Sequence, residues 1–279
     1  MKVKELIDYG RNLLKENEIE DSDIISRKIV EYVLKFNRNE IIINSDKEIS
    51  PKNKDDYDTL LYEVASGMPL QYIINNQEFY GLDFYVDESV LIPRPDTEIL
   101  VEEVINIIKN TGFSRILDIC TGSGCIGLSI AKNVDSAKVT ITDISDNALE
   151  IAKKNMEKLK ITNVNIIESD MFEEIEEEFD IIVSNPPYIE TEVIDGLSEQ
   201  VKREPILALD GGEDGLEFYR ELINESHKYL NDDGYLCMEI GYNQKDSVIN
   251  LIEESGNYKN VYSKKDLEGN DRIVVAQRR

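Results

Sequence analysis

Asn185-Pro186-Pro187-Tyr188 carries the groups that chemistry on a planar nitrogen needs. The lone pair of an amide or aryl amine is delocalised, so its nitrogen is a poor nucleophile. The Asn185 side-chain oxygen and the Pro186 carbonyl are two acceptors that can hold both N–H groups and stabilise positive charge developing on the nitrogen. Tyr188 can stack on the planar group. The motif follows the apolar run Phe179–Ser184 and therefore predicts an acceptor site at the end of a buried strand.

A second chemical segment, Asp118-Ile-Cys-Thr-Gly-Ser-Gly124, lies upstream. With Gly127 it satisfies the dinucleotide pattern G-x-G-x-x-G, and Asp143 follows at the interval of a ribose-binding acid. In dinucleotide enzymes, however, the first glycine turns directly off the strand toward a pyrophosphate. Here Asp118 stands at the strand end, and three residues separate it from Gly122. A carboxylate there suits the α-ammonium group of S-adenosylmethionine, which has no phosphate, so the segment predicts that cofactor.

Further cofactor contacts follow the next strands. Asp143 can accept hydrogen bonds from both ribose hydroxyls, Asp170 can lie near the adenine amine, and Met171 can pack on the adenine face. The plainer alternatives are a helix cap for Asp118 and core packing for Met171. The expected cofactor-binding residues are Asp118, Cys120, Thr121, Gly122, Ser123, Gly124, Asp143, Asp170, Met171 and Asn185.

Strands and helices that would position these residues alternate from Ser114 onward. A helix is clearest at 147–159, and the final two strands leave no room for a helix between them. This pattern predicts an α/β fold: a mostly parallel, Rossmann-like sheet with an antiparallel edge hairpin. The expected strands are 115–119, 138–142, 163–168, 179–184, 235–240, 258–263 and 272–276.

The chain before this sheet divides into two further parts. Apolar residues at three-to-four spacing predict a small helical domain over 1–75, with one helix opening at Ser50-Pro51. Residues 76–95 predict a β-hairpin linker turning at Gly-Leu-Asp, and 96–279 the catalytic domain. Asp96 or Thr97 is expected to cap the helix that follows.

Composition narrows the class of protein. The formal net charge is −26, which disfavours gripping a phosphate backbone and leaves solubility or a basic protein partner as its explanation. Three cysteines and the single His227 predict no disulfide frame and no metal site. No membrane span or secretory signal is evident, so we expect a cytoplasmic protein, and a monomer by default.

The sequence resembles the peptide-chain release factor N(5)-glutamine methyltransferases, the PrmC/HemK family, over nearly its whole length. Asn-Pro-Pro-Tyr is shared with nucleic-acid amine methyltransferases, whereas two of the other segments are more particular to the glutamine enzymes: Pro93–Glu98 and Leu209–Gly215. The resemblance rests on the helical N-terminal part, the aromatic hairpin and Gly67–Tyr72, Ile92–Glu98, Asp118–Gly124, Asn185–Tyr188, Glu204-Pro205 and Ala208–Gly215.

The resemblance implies a class I methyltransferase fold and transfer of a methyl group from S-adenosylmethionine to the glutamine of the Gly-Gly-Gln motif in class-1 release factors. We further expect the N-terminal domain to dock the release factor. The resemblance assigns cofactor contacts to Cys120–Gly124, Asp143, Met171 and Asn185. Catalysis is expected from Asn185, Pro186 and Tyr188, and acceptor binding from these three with Pro187, Leu91 and Arg94. Cys120 and Met171 stand where many members have glycine and tryptophan.

Several alternatives stay open on sequence alone. Arg94 can shape the acceptor pocket or simply pair with Glu98. The motif also fits an N(6)-adenine type nucleic-acid methyltransferase that flips its base. Two further hypotheses are a cofactor-binding module without catalysis and a nicotinamide dehydrogenase.

Overall fold

The computed structural model describes residues 1–279, which fall into two compact units. The smaller unit contains Met1–Asn75 together with Ser198–Arg203. The larger contains Asn76–Leu197 and Glu204–Arg279. The hairpin region expected as a linker thus belongs to the larger unit, and a short stretch far along the chain belongs to the smaller one.

The smaller unit is a helical bundle around one apolar cluster. Its helices meet closely at Gly10, where a Cβ would lie 1.8 Å from the Tyr57 hydroxyl oxygen. That hydroxyl is 2.7 Å from Ser26 Oγ, which donates to the Ile7 carbonyl. The helices are α1 (Val3–Glu16), α2 (Ser22–Leu34), α3 (Arg38–Ile43), α4 (Pro51–Ala65) and α5 (Leu70–Ile74).

Local signals explain where some of these helices begin. The Ser50 hydroxyl accepts from Asn53 N at the start of α4, as the Ser-Pro pair predicts. Asn37 and Glu40 form a reciprocal capping box at the start of α3. Helices α3 and α5 are not predictable from the sequence, because helices of six and five residues are too short to show a period.

The larger unit opens with a hairpin of β1 (Gln77–Phe79) and β2 (Leu82–Phe84). Its turn is Tyr80-Gly81, both with positive φ, and not the Gly-Leu-Asp segment that the sequence analysis expected. A 3₁₀ turn at Pro95–Thr97 then leads into α6 (Glu98–Thr111), without the expected side-chain cap from Asp96 or Thr97.

Seven strands form the main sheet in the order β5-β4-β3-β6-β7-β9-β8. All neighbours are parallel except β7–β9 and β9–β8, which confirms the predicted α/β fold with its antiparallel edge. The strands are β3 (Arg115–Ile119), β4 (Lys138–Asp143), β5 (Val164–Glu168), β6 (Phe179–Ser184), β7 (Leu230–Glu239), β8 (Tyr258–Lys265) and β9 (Asp271–Arg278). The remaining helices are α7 (Cys125–Asn133), α8 (Asp146–Leu159), α9 (Glu217–Tyr229) and α10 (Lys245–Ser255).

Helices cover both faces of the sheet. In β6, Ile181 and Val183 join the apolar cluster that includes α6 and α7, whereas Ile182 joins the cluster of α9 and α10. The chain leaves β3 toward β4 and leaves β6 toward β7, in opposite directions. The carboxyl ends of β3 and β6 therefore form a topological switch point, where open α/β sheets bind ligands. No helix is long and apolar enough to cross a bilayer.

Candidate cofactor and acceptor site

One cavity lies at the switch point, entirely within the larger unit. The loops after β3, β4, β5 and β6 line it together with residues 89–97 and 205–208. Among the predicted site residues, those that line it are Leu91, Arg94, Cys120, Thr121, Gly122, Ser123, Asp143, Asp170, Met171, Asn185 and Pro187. Those that do not line it are Asp118, Gly124, Pro186 and Tyr188.

Asp143 ends β4 and faces the cavity with a carboxylate held in place by backbone. Its Oδ2 accepts from Gly122 N at 2.8 Å, and its Oδ1 accepts from Ser145 N at 3.0 Å. Burial raises the pKa of Asp143, and these N–H donors oppose the shift. Each oxygen keeps a lone pair beyond its backbone bond, so the carboxylate can still accept from ligand hydroxyls.

Asp118 is fully buried beneath the loop that it was expected to equip. Its Oδ2 accepts from Thr121 Oγ1 at 2.6 Å and from Gly127 N at 2.9 Å, while Oδ1 has no partner in the protein. Burial raises the pKa of Asp118 to about 7. The side chain therefore fixes the turn between β3 and α7 and keeps one unsatisfied oxygen. The third glycine allows this packing, since a Cβ at Gly127 would lie 2.4 Å from Ile141 Cγ2.

The backbone donors of this loop distinguish two cofactor classes. In dinucleotide enzymes, N–H groups at the start of the helix after the first strand face a pyrophosphate. Here Gly122 N is bound by Asp143 and Gly127 N by Asp118. Two carboxylates at these positions would repel a pyrophosphate, which disfavours the nicotinamide dehydrogenase.

The two residues predicted to flank adenine, Asp170 and Met171, follow β5 and line the cavity. Met171 is buried at the cavity, and its Sδ lies 3.9 Å from Cys120 Sγ. Its φ of +46° is held by Ser169, whose hydroxyl donates to the Met171 carbonyl at 3.1 Å. Asp170 is exposed at the rim, where it can reach a polar edge of a ligand.

Asn185 follows β6 and presents its side chain to the cavity. Its Nδ2 donates to the Thr97 hydroxyl at 3.5 Å. Glu239, a buried carboxyl, ends β7, and burial raises its pKa to about 7. With Nδ2 directed to Thr97, the Asn185 oxygen is free to accept from an incoming N–H.

Tyr188 is expected to stack its ring on the acceptor, but it does not line the cavity. The half-buried ring packs against the apolar cluster of α9 and α10, and the surroundings raise the pKa of its hydroxyl, with burial the largest cause. Its backbone carbonyl accepts from Gln244 Nε2 at 2.9 Å. The residue thus anchors the end of the acceptor motif, and its stacking role stays a prediction.

Arg94 pairs with Glu204, not with Glu98. Glu204 is buried and accepts from the Arg94 guanidinium and from Ile92 N at 3.0 Å. Glu98 instead accepts from Tyr80 N at 2.8 Å. The sequence interpretation that paired Arg94 with Glu98 is therefore wrong, because the turn at 95–97 directs the two side chains to different partners. Arg94 still lines the cavity.

These residues fit S-adenosylmethionine. The Asp143 carboxylate can accept from the ribose hydroxyls of this cofactor, and Met171 and Ile144 offer apolar surface for its adenine. Two buried oxygens at the loop lack a protein partner, Asp118 Oδ1 and the hydroxyl of Ser123. A cationic amine is the ligand group that such acceptors favour.

Comparison with known proteins decides the family. Residues 5–74 match the PrmC N-terminal domain model, and residues 95–202 match the methyltransferase small domain model. The chain is 42% identical to a release factor glutamine methyltransferase of Clostridium acetobutylicum, covering 100% of this chain and 99% of the relative. It is 37% identical to that of Borreliella burgdorferi, covering 100% and 95%. This chain belongs to the release factor glutamine methyltransferase family. The prediction of a methyltransferase is thereby confirmed.

Solved structures support the same fold. The hMettl16 catalytic domain matches with a TM-score of 0.58 and 17% identity, covering 78% of this chain and 81% of that one. The 16S rRNA N2 G1207 methyltransferase of Thermus thermophilus matches with a TM-score of 0.52 and 18% identity, covering 73% and 50%. At these identities the likeness concerns the fold alone.

Three residues at or near the site are not among those that the sequence predicts as functional: Thr97, Phe218 and Glu239. Thr97 and Phe218 line the cavity, and Glu239 is buried at the carboxyl end of β7. One signal was available: Glu239 is a charged residue at the carboxyl end of an otherwise apolar strand, the edge where ligands bind. Phe218 carried no such signal, since an aromatic near a helix start is usually core.

Proposed function

We propose that this chain transfers a methyl group from S-adenosylmethionine to the side-chain amide nitrogen of the glutamine in the Gly-Gly-Gln motif of class-1 release factors. The observation that carries the proposal is Asn185, whose amide oxygen is free to accept in the same cavity as the Asp143 carboxylate. Its family relatives are named for release factor glutamine methylation.

The cofactor residues have distinct proposed roles. Bound S-adenosylmethionine would supply an electrophilic methyl group on its sulfonium. Asp143 would accept from the ribose hydroxyls, and Met171 would pack on the adenine. The buried Asp118 would act through the loop that it fixes, and its free oxygen would attract the positively charged amino-acid end. Cys120–Gly124 would let backbone approach that end.

The acceptor motif would bind and orient the glutamine amide. Asn185 Oδ1 and the Pro186 carbonyl would each accept one N–H, which turns the nitrogen lone pair toward the methyl group. Because the proline ring fixes φ, these acceptors need little reorganisation. Both dipoles stabilise the charge that develops on nitrogen, and the proton can leave to water after transfer. Leu91 and Arg94 would form the wall of the acceptor pocket.

The partner is proposed to be a protein. The charge of −26 opposes phosphate-backbone binding, so direct nucleic-acid binding is not expected. We propose that the helical unit of residues 1–75 docks the release factor, that the enzyme acts as a monomer, and that it works in the cytoplasm, where release factors meet ribosomes.

Intact-mass analysis tests this function. A class-1 release factor incubated with the enzyme and S-adenosylmethionine should gain the mass of one methylene, and peptide mapping should place it on the Gly-Gly-Gln glutamine. Asn185→Ala should lower kcat by about 100-fold or more. Asn224→Ala, an exposed asparagine on α9, is the matched control and should retain activity.

Two results would contradict the proposal. One is a release factor whose mass stays unchanged under conditions where the cofactor binds. The other is tight, salt-sensitive binding of RNA or DNA in a low-salt filter assay, which would favour the exocyclic-amine methyltransferase of nucleic acids.

A further inference from the structure

One buried carboxylate joins two walls of the cavity that lie far apart in the chain. Glu204 Oε2 accepts from Ile92 N at 3.0 Å, and Glu204 Oε1 accepts from the Arg94 guanidinium. Glu204 is 4% exposed and does not itself line the cavity. Building on the proposed function, we propose that Glu204 is a positioning residue, which holds the wall at 92–94 against the wall at 205–208 and so shapes the acceptor side of the cavity.

Prolines make each wall a stiff segment that can be held from one point. Pro93 lies between the two residues that Glu204 binds, and Pro205 follows Glu204 directly. Both prolines line the cavity. Because a proline ring fixes φ, neither segment keeps much freedom once the carboxylate is bound. The two donors occupy different oxygens of Glu204, which fixes the plane of the carboxyl group as well.

Arg94 connects this arrangement to the acceptor motif. Arg94 lines the cavity, and its positive charge lowers the pKa of the Tyr188 hydroxyl against the larger, opposite effect of burial. Glu204 is the only carboxylate within ion-pair distance of Arg94. A long arginine side chain has many rotamers, and the ion pair selects among them before the release factor binds. Less conformational entropy is then lost on binding.

The cofactor side of the cavity is held by other contacts. The Asp143 carboxylate is fixed by Gly122 N and Ser145 N, and neither bond involves Glu204 or the walls that it joins. Removing the Glu204 carboxylate is therefore expected to weaken acceptor binding and to preserve cofactor affinity. A general loss of stability would not separate these two quantities.

Hydrogen exchange tests the arrangement without any substrate. Glu204→Leu removes the acceptor of the buried Ile92 N–H, so that amide should exchange about tenfold faster or more. Glu204→Gln keeps an oxygen acceptor and should protect the amide nearly as the wild type does. The internal control is Tyr80 N–H, which donates to Glu98 and should be unchanged in both variants. An Ile92 amide that exchanges at the wild-type rate in Glu204→Leu overturns the proposal, and so does equal acceleration of both amides.

Kinetics provide the second arm. With a release factor as substrate, Glu204→Leu should lower kcat/KM by about 10- to 100-fold and Glu204→Gln by less, while the dissociation constant of S-adenosylmethionine changes less than about twofold. Glu103→Gln is the matched control. Glu103 is 5% exposed and bound by Lys264 and Tyr262, but it lies outside the cavity, so kcat/KM should stay within about twofold. Similar losses in Glu103→Gln and Glu204→Gln contradict the positioning role.

A double variant tests whether Glu204 acts through Arg94. Glu204→Gln keeps an acceptor for Ile92 N and breaks only the charge pair. In an Arg94→Met enzyme, which already lacks that pair, Glu204→Gln should therefore cause almost no further loss of kcat/KM. Losses that simply multiply would mean that the two side chains act independently, and they would contradict the proposal.

The two proposals fail in different ways. A wild-type enzyme that leaves the release factor unmodified refutes the proposed substrate, whereas the exchange of the Ile92 amide still decides whether Glu204 holds the wall. Methylation of the release factor by Glu204→Leu with wild-type kcat/KM refutes only the positioning role.

Discussion

Gln244 Nε2 donates to the backbone oxygen of Tyr188 over 2.9 Å and to that of Gly215 over 3.1 Å. Its Oε1 accepts from Gly241 N at 3.0 Å. One buried side chain thus ties the end of the acceptor motif to the glycine-rich loop and to the end of β7. Without it, three backbone groups would lose their partners.

Replacing Gln244 by leucine should therefore destabilise the protein by about 1–3 kcal/mol, because buried backbone groups lose hydrogen bonds. It should also lower kcat, because Tyr188 ends the acceptor motif. Chemical denaturation and release-factor methylation measure the two effects. Gln277→Leu is the control: that amide bonds Asp233 and Asn260 near the surface, so the change should cost under about 0.5 kcal/mol. Equal losses of stability and kcat in both variants would contradict this role of Gln244.

Two glycines of the loop at 208–215, Gly211 and Gly215, lie against the backbone of Tyr188. A Cβ at Gly211 would lie 2.7 Å from Tyr188 Cα, and one at Gly215 would lie 2.5 Å from the Tyr188 carbonyl oxygen. Ile189 N donates to Leu209 O and Gly211 N donates to Ile189 O, so the loop runs beside the acceptor motif as a short parallel bridge.

Gly211→Ala should consequently displace the acceptor motif. Backbone atoms cannot move aside as a flexible side chain can, so we expect a loss of about 1–3 kcal/mol in stability and a lower kcat. Gly196→Ala is the matched control, because a Cβ there meets no atom within 4 Å. Thermal unfolding and methylation rates are the measurements. An active, fully stable Gly211→Ala enzyme would show that the close contact between Gly211 and the Tyr188 backbone is unimportant.

Asp143→Asn should weaken S-adenosylmethionine binding by about 10- to 100-fold, since hydrogen bonds to a charged acceptor are worth about 1.5–3 kcal/mol. The amide also presents an N–H to Gly122 N or Ser145 N, which disturbs the loop that approaches the cofactor. Calorimetric titration measures the affinity. Asp135→Asn, at an exposed position after α7, should bind as the wild type does. Undiminished affinity in Asp143→Asn would rule out the ribose role.

Much of the architecture was readable from the sequence because alternation and apolar runs are local. β3 and β6 have the predicted bounds, and the antiparallel edge followed from the short connection before β9. The acceptor motif and the glycine loop were placed correctly at the carboxyl edge, since parallel strands bring their ends to one side of a sheet.

What the sequence could not supply were contacts between distant segments. Arg94 meets Glu204 across 110 positions, and no local pattern selects that partner over Glu98. Thr97 and Asn185 meet across 88 positions. The burial of Asp118 below its loop was equally invisible, because a strand-end acid can point toward a ligand or back under the turn.

Two buried carboxyls give the stability of the protein a defined pH dependence. Burial raises the pKa of Asp118 and of Glu239 to about 7 in the folded chain, whereas in the unfolded chain both titrate in the ordinary carboxyl range. Between that range and pH 7 the folded state binds more protons than the unfolded state. Its free energy of unfolding therefore falls as pH rises through this window and levels off above about pH 7.

Asp118→Asn and Glu239→Gln remove one titrating group each. The difference in unfolding free energy between the wild type and either variant should change by about 1.4 kcal/mol per pH unit inside the window, in the direction that disfavours the wild type as pH rises. Urea denaturation from about pH 5 to pH 8 measures this difference. Charge repulsion within the acidic chain affects wild type and variant alike, so it cancels when the two are subtracted. If the unfolding free energies of wild type and variant differ by the same amount at every pH in this range, neither carboxyl takes up a proton on folding.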